Sequence, residues 1–593
     1  MVRVADYIIE RLYTENAKHI FMVTGRGALF LSDAVAAHKE IKSVSMHHEQ
    51  AAAYAAVAYA QYNNTIGGCL VSTGCAGTNA ITGVLNAWQD GIPCIFISGQ
   101  NKLQETTNYT GLAIRTYGQQ EADIIPIVDS ITKYSVMITD PSRIVYEMDK
   151  AIHLAQSGRK GPVWIDVPLD VQNMRIEPDE CENYVAEDKG RCSASFDDIQ
   201  YISNLLNNSS RPALLIGSGV HSANAIRALE LFQDKYKVPL TYAPSASDIY
   251  GLENPLSIGS VGIMGCSRSG NFTVQNSDLL LVFGHRLSSM TTGELCKFAR
   301  GAKVVVVDID PIEHSKHAIK IDRLVVSDVK DVLLELVKQD IQETSQSWRN
   351  KCLHWKSIFP RYEGKHKSSD KVDLYYLADV LSKVMPDRST FLSDSGLIEL
   401  ILPANMSFDK GQRCIHPVSQ GAMGVALPAL IGVHYASDCP VIAVVGDGSI
   451  MMNLQELETI HYKNIPAKIF VVNNNAYAVI RKRQVEMFRS RTIGTDPSDG
   501  VGCPDFKKVA NGFDIPYIKI TSNSELQKKL QSVIDMKGPV LCEIMGLEDQ
   551  DYISSGHARN ANNCIVSRPI EDQKPYLSRE LFLSEMIIEP IDQ

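Results

Sequence analysis

Short apolar runs bounded by Gly, Ser, Asp or Asn recur along the chain, alternating with stretches whose apolar residues return at helical spacing. In the first third the runs are IFMV, GGCLVS, PCIFIS and PVWIDVP, and the helical stretches include QAAAYAAVAYAQY. The opening text MVRVADYIIERLYTENAKHIF puts Val4, Ile8 and Leu12 on one face with charges between them, which predicts a folded amphipathic helix rather than a signal peptide. Alternating strand and helix signals predict a parallel sheet covered on both faces. The style repeats in PALLIGSG, LLLVFG and KVVVVDIDP, and again in STFLSDSG, CPVIAVVGDGS, AKIFVVNNN and PVLCEIMG. Polar text separates these blocks: a linker near 175–195, then ETSQSWRNKC and YEGKHKSSDK, and a polar tail. The expectation is an α/β protein of three consecutive doubly wound parallel-sheet domains, over residues 1–180, 196–340 and 370–570.

Composition narrows the function classes. A chain of 593 residues exceeds one core, and 45% hydrophobic with 21% charged residues is ordinary for a globular protein. The formal net charge of −10 argues against nucleic acid as a partner. Thirteen cysteines without a CxxC pair suggest neither a zinc ribbon nor a redox pair, and fit a reducing cytoplasm. No uninterrupted apolar run reaches the roughly 18 residues of a membrane span.

The stretch VVGDGSIMMNLQELETIHYKNIPAKIFVVNNN, from Val444 to Asn475, carries the most specific chemistry. Pro440–Val445 reads as a buried strand, 450–463 as a helix and Ala467–Val472 as the next strand. Asp447 and Asn474 then lie just past the carboxyl ends of two parallel strands, where open sheets bind ligands. Gly446 and Gly448 let backbone approach a ligand, and the following helix offers free N–H groups to an anion. A carboxylate and an amide oxygen are hard donors suited to Mg²⁺ shared with phosphate oxygens.

GDG, then 24 residues, then NN resembles the signature of thiamine diphosphate enzymes. The resemblance implies that Asp447 and Asn474 give side-chain oxygens to Mg²⁺ and Ala476 its carbonyl. Gly448 and Ser449 would meet the diphosphate, joined by Ser395 and Gly396 of SDSG. It implies that Glu49, in MHHEQAAAYAAVAYAQ, is the carboxyl group that activates the cofactor ring. Met423 of QGAMGVALPALIG would wedge between the cofactor rings, with the Gly421 carbonyl on its amino group. In this family the first and third domains meet across a homodimer interface, so a homodimer or homotetramer with shared sites is implied.

Within the family the chain resembles acetolactate synthase-like enzymes most, through TGCAGTNAITGVLNAWQDGIPCIFISGQ and GQQEADIIPIVDSITKYS. Gln120 and Lys133 match residues that line those sites. Arg286 of FGHRLSSMTTG and Asp308 of VVVVDIDPIEHSK match an FAD-binding domain, and the resemblance leaves open whether FAD is bound. Two departures concern the substrate. Arg483 stands where acetolactate synthases carry a pocket tryptophan, within a cluster of Arg481, Lys482, Arg489 and Arg491. Arg26 stands in VTGRGAL, where relatives usually carry a small residue. The YAVIRKRQ…GTDPSDG text resembles carboligases of surface-polysaccharide pathways. The expected activity is decarboxylation of pyruvate and transfer of the two-carbon unit to a carbonyl acceptor such as a keto-sugar nucleotide. Acetolactate synthesis and simple decarboxylation are the alternatives.

Overall fold

The computed structural model describes residues 1–186, 193–317, 319–409, 411–559 and 564–591. Part of the expected linker, 187–192, lies outside them, as do 560–563 and 592–593 of the tail. Three six-stranded sheets, each wholly parallel, account for the apolar runs. The first contains His19–Met22, Lys42–Ser45, Gly67–Val71, Cys94–Gln100, Tyr134–Met137 and Val163–Pro168. The second contains Pro212–Ile216, Leu240–Tyr242, Ser257–Ser260, Leu279–Phe283, Lys303–Asp308 and Arg323–Val326. The third contains Thr390–Leu392, Arg413–Ile415, Val441–Gly446, Lys468–Asn473, Tyr517–Ile520 and Val540–Met545.

Numbered along the chain within each sheet, the first and third share the strand order 2-1-3-4-6-5, and the second runs 3-2-1-4-5-6. In the first sheet Phe21 pairs with Val44 on one side and Cys69 on the other. Helices cover both faces, so central strands such as Gly67–Val71 and Leu279–Phe283 are buried throughout, as continuous apolar runs require. The opening helix is Val4–Thr14, and its Val4, Ile8 and Leu12 are buried in the first core.

The first and third domains share one core. Its axis is helix Glu49–Asn63, whose residues Ala51–Ala60 are all buried. A side chain at Gly83 of helix Cys75–Asp90 would run into Ala53, and one at Gly432 of helix Ala426–Ala436 would run into the Ala55 carbonyl oxygen. The alanine-rich sequence therefore sits between two helices at main-chain contact, which only small residues permit.

Three segments differ from their sequence reading. The polar separator beginning at Glu343 includes helix Gln346–Ile358, which buries Trp348, Cys352 and Trp355. Its apolar residues are few but fall on one face, and aromatic area compensates for number. The 450–463 helix is a 3₁₀ turn, Ile450–Asn453, followed by helix Glu456–Tyr462. The polar tail docks onto the second domain. Asn271 Nδ2 donates to the Ile570 carbonyl at 2.9 Å, Gln275 Nε2 to Glu571 at 2.7 Å, and Ile587 N to Asn276 Oδ1 at 2.7 Å. Trp355 Nε1 donates to Glu585 at 2.9 Å, on tail helix Arg579–Glu585. No helix among the described residues is long and apolar enough to cross a membrane.

Candidate active site

Each sheet has a point where successive connections leave in opposite directions, and the crevice there, outside the strand carboxyl ends, is where ligands bind in such folds. In the third sheet that point lies between Thr390–Leu392 and Val441–Gly446, so the loops after them, 393–396 and 447–449, meet. Asp394 joins them. Its Oδ2 accepts Ser449 Oγ at 2.6 Å, Gly424 N at 3.1 Å and Ala426 N at 3.3 Å, while its buried Oδ1 has no partner. Burial pushes the Asp394 carboxyl up to about 6, against the pull of these hydrogen bonds. Helix Gly396–Asn405 starts at Ser395 without a side-chain cap, and space is open where a Gly396 side chain would stand. Its first amides thus have no side-chain partner, which suits an anion.

Asp447 is 3% exposed. Its Oδ1 accepts Gly448 N at 2.7 Å, and its Oδ2 accepts the amides of Asn474 at 3.1 Å and Asn475 at 2.7 Å. Those bonds fold the two strand ends together, and burial still raises the carboxyl above its ordinary range. The three asparagines divide their roles. Asn473 Nδ2 is held by Glu543 at 2.6 Å, Asn475 takes a left-handed turn at φ 55°, and Asn474 Oδ1 accepts Ala476 N at 3.2 Å. No group of three or more His, Cys, Asp or Glu is arranged for a metal among the described residues. A cation here would rest on a mixed set: the Asp447 carboxylate, the Asn474 amide oxygen and the Ala476 carbonyl. A carboxylate raised by burial fits such an ion. The ring of Tyr477 lies over Gly448, leaving no room for a side chain there.

The loop carrying Gly421 and Met423 is bolted to the first domain. Ser419 N donates to Asp90 at 3.1 Å and Gln420 Nε2 to the Thr82 carbonyl at 2.9 Å. Gly421 and Gly424 take φ of 56° and 86°, and the Gly421 position opens into free space. Met423 is half-buried. Asn453 Nδ2 donates to the Gly424 carbonyl at 2.8 Å and to Gln50 Oε1 at 3.1 Å, so this loop is linked to the residue beside Glu49.

Glu49 opens helix Glu49–Asn63, half-buried, with Asn79 Nδ2 at 2.9 Å from its carboxylate. The preceding histidines have structural duties: His48 caps the helix by accepting Gln50 N at 3.1 Å, and His47 N donates to Glu456 at 3.1 Å. At the first sheet's own switch point, between His19–Met22 and Gly67–Val71, loops 25–28 and 72–74 interlock. A side chain at Gly25 would strike Ser72, and one at Gly74 would strike the carbonyl of Gln120. Gln120 is exposed, in a left-handed conformation at φ 59°. Its loop is fixed from below. Gln100 Nε2 donates to the Ala122 carbonyl at 3.0 Å and to Asp166 at 3.2 Å, and Asn101 Nδ2 to the Gln119 carbonyl at 2.9 Å. Asp166 is fully buried and also accepts Ser98 Oγ at 2.6 Å; burial lifts its carboxyl to about 7.

Lys133 does not join this group. It precedes strand Tyr134–Met137, so it stands at the amino edge of a parallel sheet whose site is at the other edge. Its Nζ donates to the carbonyls of Ser157 at 2.6 Å and Arg159 at 2.8 Å, and burial lowers its pKa to about 8. The basic cluster is free only in part: Arg489 and Arg491 are exposed without a carboxylate partner among the described residues, whereas its first members are paired. Arg481 pairs with Asp496 at 3.3 Å and Asp549 at 3.0 Å. Lys482 pairs with Asp551 at 3.0 Å and sits over the Tyr552 ring. Arg483 reaches Met264 of the second domain.

In the second sheet the switch point lies between Pro212–Ile216 and Leu279–Phe283. A cavity of about 640 Å³ opens there, lined by Gly219, Arg286 and Asp308 together with Arg159, Glu399 and Ser419 from the flanking domains. Asp308 accepts Asp310 N at 3.0 Å and lies 3.3 Å from His314, and Lys316 donates to the Arg286 carbonyl.

Asp394 is the residue that sequence reasoning passed over. Its signal is the one carried by Asp447, an acid directly after an apolar run, but the flanking Ser395 and Gly396 drew the assignment.

Three family descriptions match the chain: thiamine pyrophosphate enzyme, N-terminal TPP binding domain, over 2–127; central domain, over 199–336; and C-terminal TPP binding domain, over 394–544. Among curated relatives, the acetolactate synthase large subunit of Cyanidium caldarium is 31% identical, over 90% of this chain and 92% of its own. Acetolactate synthase isozyme 1 large subunit of Escherichia coli (strain K12) is 30% identical over 91% and 93%. The large subunit of Haemophilus influenzae is 29% identical over 96% and 99%. With the crevices of the first and third sheets built as described, these matches show that the chain belongs to the acetolactate synthase-like family of thiamine diphosphate enzymes.

Proposed function

We propose that this enzyme decarboxylates pyruvate and joins the resulting two-carbon unit to a second carbonyl compound, with thiamine diphosphate and Mg²⁺ as cofactors. The observation that carries the reading is the pairing of Asp447 with the Asn474–Asn475 turn, beside the uncapped helix at Ser395–Gly396. Bound thiamine diphosphate supplies the electron sink for carbon dioxide release. Asp447, Asn474 and the Ala476 carbonyl would hold Mg²⁺, and Gly448, Ser449, Ser395 and Gly396 would receive the diphosphate. Glu49 would hold a proton against the cofactor ring, the Gly421 carbonyl would orient its amino group, and Met423 would set its bend. Gln120 would face the substrate. Two copies of the chain would complete the site, which accords with the exposed Met451 and Met452 immediately after GDGSI. The second-sheet cavity would take a dinucleotide such as FAD, with Arg286 and Asp308 on its wall.

A second 2-oxo acid is the favoured acceptor, because Arg481 and Lys482 are committed to carboxylates and leave fewer free cations for a sugar nucleotide. The experiment supplies pyruvate, thiamine diphosphate and Mg²⁺, alone, with 2-oxobutyrate, or with a 4-keto-6-deoxy sugar nucleotide, and identifies products by mass. Acetolactate or its ethyl homologue supports the reading. A two-carbon adduct on the sugar moves the acceptor to the keto-sugar. Absence of carbon dioxide release overturns the proposal.

A further inference from the structure

Arg26 is exposed and has no carboxylate partner among the described residues. It follows the first strand of the first sheet, at that sheet's switch point. Its backbone has no freedom to wander: side chains at Gly25, Gly27 and Gly99 would collide with Ser72, with Thr73 and with the Gly27 carbonyl. Its head is held as firmly. Arg26 Nη1 donates to Gln119 Oε1 at 2.7 Å, and the Gln119 carbonyl is held by Asn101. Asn101 N in turn donates to Gln100 Oε1 at 3.0 Å, and Gln100 rests on buried Asp166. A guanidinium carries five N–H donors, so the bond to Gln119 leaves most of them open. A fixed, unpaired, exposed cation beside Gln120 is a receptor for an anion.

The chemistry decides which anion. This inference rests on the proposed carboligation. A cation bound to the donor's carboxylate would stabilise a charge that vanishes as carbon dioxide leaves, and would favour the ground state. An anion that persists through ligation belongs to the acceptor. We propose that Arg26, oriented by Gln119, is the specificity group of this enzyme and binds the carboxylate of a 2-oxo acid acceptor.

The test is a one-pot competition between 2-oxobutyrate and propanal, the same carbon skeleton with and without the carboxylate, for two-carbon units from pyruvate. Defects in folding, cofactor binding or donor turnover cancel in the product ratio. Arg26→Met should lower the ratio of acid to aldehyde product by about 10- to 100-fold, the range of a charge-assisted hydrogen bond. Arg26→Lys should restore part of it, and Gln119→Leu should shift it less, by roughly 3- to 10-fold. An unchanged ratio in Arg26→Met, or ligation to neither acceptor by the wild type, overturns the inference. A wild type that releases no carbon dioxide from pyruvate overturns instead the reading beneath it.

Discussion

The first and third sheets have the same six parallel strands in the same order, yet their crevices are furnished in opposite ways. In the third, Asp394 and Asp447 are buried and gripped by main-chain amides, with both carboxyl groups displaced upward by burial. In the first, Glu49 and Arg26 are more open to solvent and meet neutral amides of Asn79 and Gln119. Buried carboxylates without a cation are costly, so under the proposed function the third crevice would suit a ligand that stays and brings positive charge. Solvated groups held by side chains cost little, so the first crevice suits groups that must meet reactants that come and go. Strand order therefore locates a site, and loop chemistry decides whether the site anchors or reacts.

Removing the reacting side should have the largest effect. Glu49→Gln keeps the shape but not the ionisable proton, and turnover should fall by roughly 10²- to 10⁴-fold while thiamine diphosphate still binds; steady-state rates with a calorimetric cofactor titration check both halves. On the anchoring side, Asp447→Ala should weaken thiamine diphosphate binding in the presence of Mg²⁺ by roughly 100-fold, the scale of breaking a buried charge pair. Wild-type affinity in that variant would erase the distinction drawn here. Smaller still, Gly432→Val pushes atoms into the Ala55 carbonyl and should cost about 1–3 kcal/mol of stability, lowering the thermal midpoint.

The last expected effect, on the pH dependence of stability alone, concerns Asp166, beneath the first crevice. Its folded value of about 7 exceeds the ordinary 3.8, so the folded state holds a proton that the unfolded state has lost in this window. Wild-type stability should therefore fall as pH rises from about 4 to 7, and Asp166→Asn should gain relative to it. Urea midpoints at pH 5 and pH 8 measure the change. A relative loss for the variant at the higher pH would mean that Ser98 and Gln100 sustain the ionised carboxylate.

The three sheets were legible because buried parallel strands write themselves as unbroken apolar runs, and Asp447 and Asn474 because polar residues ended two of them at the right separation. The strands Val441–Gly446 and Lys468–Asn473 begin one residue later than the text suggests. What escaped was relational. Asp549 and Asp551 neutralise Arg481 and Lys482 from a distant loop, which no local pattern announces. Lys133 stands apart from the crevice of its own sheet for a reason the sequence did contain, since it precedes its strand and the crevice follows the strands. Trp348, Cys352 and Trp355 are spaced as a helix face, but their polar neighbours disguised it.

The docking of the tail has a consequence for the order in which this protein can be made. Synthesis runs from the amino end, and domains tend to fold as they emerge. The second domain's last strand, Arg323–Val326, is complete long before Ile570, Glu571 and Ile587 exist to bond Asn271, Gln275 and Asn276. Those buried amides have partners within the second domain, Asn271 on Gly262, Gln275 on Lys297 and Ala299, and Asn276 on Phe272, but their bonds to the tail must wait through translation of the whole third domain. The second domain is thus begun second yet acquires its last contacts only after the strands of the third have been made.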